Sequence, residues 1–204
     1  MKTRLLLLRH GEVEVAYQRV FGGRLDIGLS PAGQRQADAL AEFLLPQGLD
    51  AIFASPMKRV QQTLAPLVNA HRPVPVLLDG LREVDFGAWT GLSWEQVKER
   101  FGVSAFEWLH QLETGSIPEA EAVPAFSRRV GDALHHVKAA AAGRTVAIAC
   151  HGGVIRMLLA LLLDLPLSRT SAFEVDYASV TVVDWEPHRV EIQLLNYTPW
   201  RPLP

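Results

Sequence analysis

The chain has 204 residues, 49% of them hydrophobic, enough for one large core, and the length suits a single domain over residues 1–204. A net charge of −2, from 20 Lys+Arg against 22 Asp+Glu, excludes a nucleic-acid coat, which needs a basic surface, but leaves room for a local cationic pocket. The single cysteine, Cys150, excludes an internal disulfide framework and points to a reducing, cytoplasmic compartment.

The elements follow in chain order. Thr3–Arg9 is predicted as a strand, because Leu5-Leu6-Leu7-Leu8 is an apolar run that stops at Arg9-His10-Gly11-Glu12. The leucines are too few for a signal-peptide core, and no small-residue cleavage site follows. Ser30 as N-cap with Pro31 at the first turn predicts a helix over Ala32–Leu45. Ala51–Ala54 is a second strand, and Ser55-Pro56 repeats the same start for a helix across Met57–Ala70. Val74–Leu78 is a third strand. Ser93-Trp94-Glu95-Gln96 and Ser104-Ala105-Phe106-Glu107 both fit the capping box and predict two short helices.

A longer helix, about Pro124–Ala141, is stopped by Gly143, and a fourth strand, Thr145–Ala149, precedes a helix over Val154–Leu163. The apolar stretch from Met157 to Leu163 is far short of the ~20 residues of a membrane span, so no membrane contact is expected. Val180–Trp185 and Val190–Leu195, split by Pro187-His188, predict a closing antiparallel hairpin. The alternation predicts an α/β fold with three layers, α/β/α, around a mostly parallel sheet. Residues 81–123 are expected to leave the sheet as a helical cap over its carboxyl edge.

Open α/β sheets place ligands at that edge. Four segments are expected to meet there: Arg9-His10, Ser55 to Arg59, Leu81 to Gly91, and His151-Gly152-Gly153. Two strands that each end in His-Gly suggest two imidazoles facing one pocket. With two arginines and helix N-termini behind them, they suit a dianion, and the planar fork of arginine holds two phosphate oxygens at once. A histidine fixed against a phosphoryl group can attack phosphorus, giving a phosphohistidine that water resolves. A leaving alkoxide needs a proton, for which Glu83 is the best candidate, with Asp85 and Glu12 as rivals nearby in sequence. No metal and no cofactor is required, since the arginines and the second histidine supply the positive charge.

Taken together, Leu8-Arg9-His10-Gly11-Glu12, Ser55-Pro56-Met57-Lys58-Arg59, Glu83 with Phe86-Gly87-Ala88-Trp89-Thr90-Gly91, and His151-Gly152-Gly153-Val154-Ile155-Arg156 resemble the histidine phosphatase superfamily, the phosphoglycerate-mutase-like fold. Gly23-Arg24-Leu25-Asp26 before Leu29-Ser30, with Phe86-Gly87-Ala88-Trp89, is most similar to small bacterial phosphatases of the α-ribazole phosphatase type. The resemblance implies His10 as nucleophile, a phosphate pocket of Arg9, His10, Arg59, His151 and Gly152, and Glu83 as proton donor. It also implies a small phosphorylated substrate, such as α-ribazole 5′-phosphate. A homodimer is left open.

Two segments depart from the family pattern. Where a Thr or Ser and then an Asn usually stand, this chain has Val13 and Ala16, and the usual Gly-Glu-Ser of the cap reads Ala120-Glu121-Ala122. Loss of two neutral donors predicts a looser hold on phosphate and more dependence on the rest of the substrate. Gly23, Arg24, Arg82 and Glu121 are candidate substrate contacts, with surface solvation the equal rival for Arg24, Arg82 and Glu121. Trp89, Trp94 and Trp108 are expected to pack the cap. His71, His110, His135, His136 and His188 show no metal-ligand spacing. Cys150 is expected to be a buried core thiol, since adjacent strand residues face opposite ways and His151 takes the pocket side. Two other activities stay open on these residues: a phosphoglycerate mutase, and a phosphate-binding protein with a decayed site.

Overall fold

The computed structural model describes residues 1–70 and 73–202; His71 lies outside them. Among the described residues, six strands form one sheet: β1 (Thr3–Arg9), β2 (Ala51–Ala54), β3 (Val76–Leu77), β4 (Thr145–Cys150), β5 (Val180–Glu186) and β6 (Arg189–Tyr197). Their order is β3-β2-β4-β1-β5-β6. The first four run parallel, β5 is antiparallel to β1, and β6 closes the hairpin on β5. This is the expected mostly parallel sheet with an antiparallel C-terminal pair.

Alternation along buried strands divides the core into two faces. Leu5 and Leu7 join Val146, Ile148 and Cys150 beneath α5 (Val123–Ala140) and α6 (Gly152–Leu163), through Phe126, Val130, Val154 and Leu158. Leu6 and Leu8 join Ala147 and Ala149 beneath α1 (Pro31–Leu44) and α2 (Lys58–Asn69), through Leu40, Leu44, Val60 and Leu64. The short helices α3 (Trp94–Phe101) and α4 (Trp108–Glu113) pack on the α5/α6 side, where Val97, Leu109 and Leu112 are buried with Trp89.

Two of the four helix-start signals act as written. Ser30 accepts from the Gly33 amide with Pro31 in the first turn of α1, and Ser93 and Gln96 make a reciprocal capping box on α3. Two do not, and one strand is shorter than expected. Residues 104–107 form only a 3-10 turn, Ala105–Glu107, because Ser104 reaches the Phe106 amide rather than that of Glu107; α4 starts at Trp108. The third strand shrinks to Val76–Leu77, an exposed edge paired on one side alone. α2 starts at Lys58 with no side-chain cap, because its N-cap position falls on Met57; the Ser55 hydroxyl bonds His151 at 2.8 Å and accepts from the Met57 amide at 3.4 Å.

Registry sets the site. Arg9 is level with Cys150 in the β1–β4 pairing, so His10 and His151 leave the sheet side by side. The His10 amide donates to the Cys150 carbonyl at 3.1 Å, which continues the ladder one residue past the strand.

Candidate active site

The two imidazoles stand edge to face with centroids 5.2 Å apart. Arg59, on the first turn of α2, lies between them. Its Nε–H is shared between His10 Nε2 at 3.2 Å and His151 Nδ1 at 3.1 Å. Guanidinium nitrogens only donate, so both imidazole atoms are acceptors and each tautomer follows. Neutral His10 carries its proton on Nδ1 and donates it to the Gly11 carbonyl at 2.8 Å. Neutral His151 carries its proton on Nε2 and donates it to Ser55 Oγ at 2.8 Å.

Both rings are held neutral. Burial, then the positive charges of Arg59 and Arg9, keep His10 well below the ordinary imidazole range. Burial, then Arg59, does the same for His151. His10 Nε2 is therefore unprotonated without a base to uncover it, its lone pair held in the free protein by the Arg59 Nε–H. Burial also lowers Arg59, which keeps three contacts: the shared Nε–H, Nη1 on the Leu25 carbonyl at 2.9 Å and Nη2 on the Gly23 carbonyl at 2.9 Å. Two of its five N–H groups are left over. Arg9 gives one bond, Nη1 to the Val175 carbonyl at 2.6 Å, and lies 4.0 Å from the centroid of the Tyr177 ring. Its Nε is buried and has no hydrogen-bond partner among the described residues.

These groups form the floor of a cavity of about 420 Å³. Arg9, His10, Val13, Gly23, Arg59, Glu83 and Gly152 line it, and Trp94, Phe106 and Trp108 stand at its aromatic wall. His151 does not line it. That expected phosphate contact sits fully buried behind Arg59 with both nitrogens engaged, so it holds the floor from below.

Glu83 lines the same cavity as His10, from the loop after β3. Its carboxylate accepts from its neighbour's amide, Val84 N, at 3.0 Å and from Gly153 N at 3.2 Å, at the start of α6. A Cβ on Gly153 would come within 2.5 Å of Glu83 Oε1, so the second glycine of His-Gly-Gly is the space the carboxylate occupies. The rivals are turned elsewhere: Asp85 binds the Gly87 amide, and Glu12 binds Ser30 Oγ.

The weaker candidates divide. Gly23 lines the cavity and gives its carbonyl to Arg59. Arg82, Arg24 and Glu121 are outside the lining, because each is drawn to another charge: Arg82 to Asp79 at 2.9 Å, Arg24 to Glu121 at 3.5 Å, and Glu121 to Arg129 at 2.6 Å. Of the two positions that lose a neutral donor, Val13 is buried and lines the cavity, whereas Ala16 is exposed outside it. Trp89 is buried packing; Trp94 and Trp108 pack the cap and also face the cavity. Cys150 is fully buried on the α5/α6 face, where burial pushes its thiol up. Among the described residues, no group of three or more His, Cys, Asp or Glu could hold a metal ion. No helix among them is long and apolar enough to cross a membrane.

Two lining residues give the sequence reading little to hold. Arg156 follows Gly152 by one helical turn, so its place at the pocket is accessible from the i, i+4 relation within α6. Tyr177 gives no local signal; only the fold brings its ring 5.7 Å from that of His10.

A family model for the histidine phosphatase superfamily, branch 1, matches residues 5–198. The chain belongs to that superfamily. A bifunctional protein of Mycobacterium tuberculosis is 33% identical over 198 residues, 96% of this chain but 54% of that protein, so the chain spans about half the length of that relative. Phosphoserine phosphatase 1 of Hydrogenobacter thermophilus is 31% identical, over 96% of this chain and 93% of its own. The adenosylcobalamin/alpha-ribazole phosphatase of Escherichia coli is 27% identical, over 95% of each chain. Among solved structures, a mycobacterial glucosyl-3-phosphoglycerate phosphatase superposes with a TM-score of 0.83 at 27% identity, covering 96% of this chain and 99% of that one.

Proposed function

We propose that this protein is a metal-independent phosphomonoesterase that works through a phosphohistidine on His10. One observation carries the choice of nucleophile: of the two buried imidazoles that share Arg59, only His10 lines the cavity. The substrate phosphate is received by Arg9 and by the unspent N–H groups of Arg59, with His10 Nε2 facing phosphorus. As the Nε2–P bond forms, the Arg59 Nε–H is left to His151 alone, the P–O bond to the leaving group breaks, and Glu83, which enters the step as the neutral acid, protonates the departing oxygen. Water then attacks the phosphohistidine and gives a proton to Glu83. Inorganic phosphate leaves, and both groups return to their starting state. Fixed cations around the transferring group stabilise its charge without reorganisation.

The wall supports a reading of the leaving group. Trp94 and Phe106 meet edge to face at 5.2 Å between centroids, and Phe106 is 78% exposed. An exposed aromatic beside a polar floor favours a leaving group with a flat or apolar body over one as small as serine. Alpha-ribazole 5′-phosphate fits that description, and a glucosylated phosphoglycerate gives a more polar comparison.

Rapid quench with a labelled phosphomonoester, followed by peptide mapping under mild base, tests the mechanism. Acid-labile label on His10 is expected; label on another residue overturns it. Turnover of p-nitrophenyl phosphate separates an enzyme from a binder with a decayed site, and transfer of label to added glycerate in place of water would make it a mutase.

A further inference from the structure

We propose that Arg129 is the positioning residue of the proton donor, fixing Glu83 through the loop that carries it; the inference rests on the general-acid reading of Glu83 given above. The loop from Gly80 to Gly87 contains no strand or α-helix, and the local backbone bonds of its 3-10 turn end at Arg82, one residue short of Glu83. Arg129, on α5, grips the backbone of that stretch from outside. Its Nη1 donates to the carbonyls of Gly80 at 2.8 Å and Arg82 at 2.6 Å, and its Nη2 donates to the carbonyl of Glu83 itself at 3.2 Å.

The remaining two N–H groups grip Glu121, Nε to Oε1 at 2.6 Å and Nη2 to Oε2 at 2.7 Å. All five donors of the guanidinium are thus spent, three of them on a four-residue stretch of backbone that ends at Glu83. Arg129 is mostly buried and stacks 4.7 Å from the Phe126 ring centroid, so the fork is fixed from below. Glu121 returns the grip: its amide donates to the Asp85 carbonyl at 2.9 Å and its carboxylate accepts from the Asp85 amide at 3.4 Å. Gly87 completes the seam. It has a φ of +51°, and a Cβ there would overlap the backbone of residues 118–120.

Glu83 is therefore held on both sides by one ion pair that never touches the cavity. Its carboxylate can then reach the Val84 and Gly153 amides in a single conformation. Proton transfer depends steeply on donor placement, so a loosened loop should slow departure of groups that need a proton and spare those that do not. Neither Arg129 nor Glu121 lines the substrate cavity, so Michaelis constants should hardly move.

The test is a double-mutant cycle on glycerol phosphate and p-nitrophenyl phosphate. Lysine keeps the charge but cannot hold three carbonyls and a bidentate carboxylate. Arg129→Lys should lower kcat for glycerol phosphate by roughly 10–100-fold, a sizeable part of what acid catalysis supplies, and that for p-nitrophenyl phosphate by less than ~3-fold. Its effect on glycerol phosphate should vanish in a Glu83→Gln background, because the two changes remove the same contribution. Glu121→Gln, a gentler change that leaves Arg129 in place, should give the same pattern at smaller size; it decides the matter if Arg129→Lys does not fold. Equal losses on both substrates, or losses that add to those of Glu83→Gln, overturn the inference. If Glu83→Gln itself slows both substrates alike, the acid reading falls and takes this one with it. If Glu83→Gln is selective and neither Arg129→Lys nor Glu121→Gln is, only the role of Arg129 falls.

Discussion

The floor of the cavity and its mouth are built on opposite terms. On the floor, His10, Arg59 and His151 are at most 5% exposed, and each is tied to at least two partners in the free protein. At the mouth, Phe106 is 78% exposed, and the Arg19–Glu95 pair beside Trp94 has both side chains more than 60% exposed. An exposed ion pair of that kind contributes little. The floor is an arrangement fixed in advance, suited to charge that develops in a transition state. The mouth is a surface whose contacts form only when a leaving group covers it, suited to binding. The contrast predicts that floor substitutions act on kcat and mouth substitutions on KM.

The largest break of the contrast should come from His10→Ala. Removal of the nucleophile leaves only binding and electrostatics, and the expected loss in kcat exceeds ~10³-fold. Steady-state rates on p-nitrophenyl phosphate measure it, and a variant that keeps more than a tenth of the activity would move the nucleophile elsewhere. Arg59→Lys comes next, at roughly 10²-fold in kcat. An ammonium supplies the charge but cannot share one donor between two imidazoles while it holds the Gly23 and Leu25 carbonyls. A loss below ~3-fold would show that Arg59 acts only as a charge.

The same contrast governs how much of the molecule is legible in its sequence. Parallel strands buried on both faces appear as short apolar runs, so β1 and β4 and the His-Gly that ends each can be read directly, and with them Arg9, His10 and His151. The cap-plus-proline at Ser55-Pro56 places Arg59 in the first turn of a helix, close to where it stands. One use of Ser55 is not legible: the local rule makes it a helix cap, whereas the helix is capped at Met57 and the shorter bond of the Ser55 hydroxyl is to His151, 96 residues away. The clamp of Arg129 on the Glu83 loop spans 46 residues and is equally silent in a local pattern. The charged residues expected to touch substrate are drawn instead to opposite charges: Arg24 to Glu121, far along the chain and silent in a local pattern, Glu121 to Arg129 eight residues on, and Arg82 to Asp79, a pair only three residues apart.

At the mouth the expected effects are smaller and of the other kind. Phe106→Ala should raise KM for an aromatic phosphomonoester such as α-ribazole 5′-phosphate about 10-fold, near 1.4 kcal/mol, which is part of what covering a phenyl ring contributes. Its kcat should stay within ~2-fold, and phosphoserine, too short to reach the ring, should be unaffected. Because Phe106 is exposed in the free protein, the variant removes little packing. A fall in kcat with KM unchanged would mean that the wall takes part in catalysis and that the division between floor and mouth is wrong.

The smallest effect separates the floor from the mouth by stability rather than rate. His10 and His151 are both held well below the ordinary imidazole value of 6.5, chiefly by burial. Below that pH the unfolded chain takes up protons at these two positions and the folded chain does not, so stability falls as pH drops through the unfolded value; above it the two contribute no pH dependence. One unit below, each costs about 1.4 kcal/mol, or roughly 3–6 °C in Tm for a chain of this size. Thermal melts of the wild type and of His10→Gln at pH 8 and pH 5.5 measure the share of His10. The drop in Tm between the two pH values should be smaller in the variant by that amount, while Phe106→Ala should leave the drop unchanged. An equal drop in wild type and His10→Gln would mean that His10 accepts a proton in the folded protein, and the imidazole that the proposed attack requires would not be neutral at that pH.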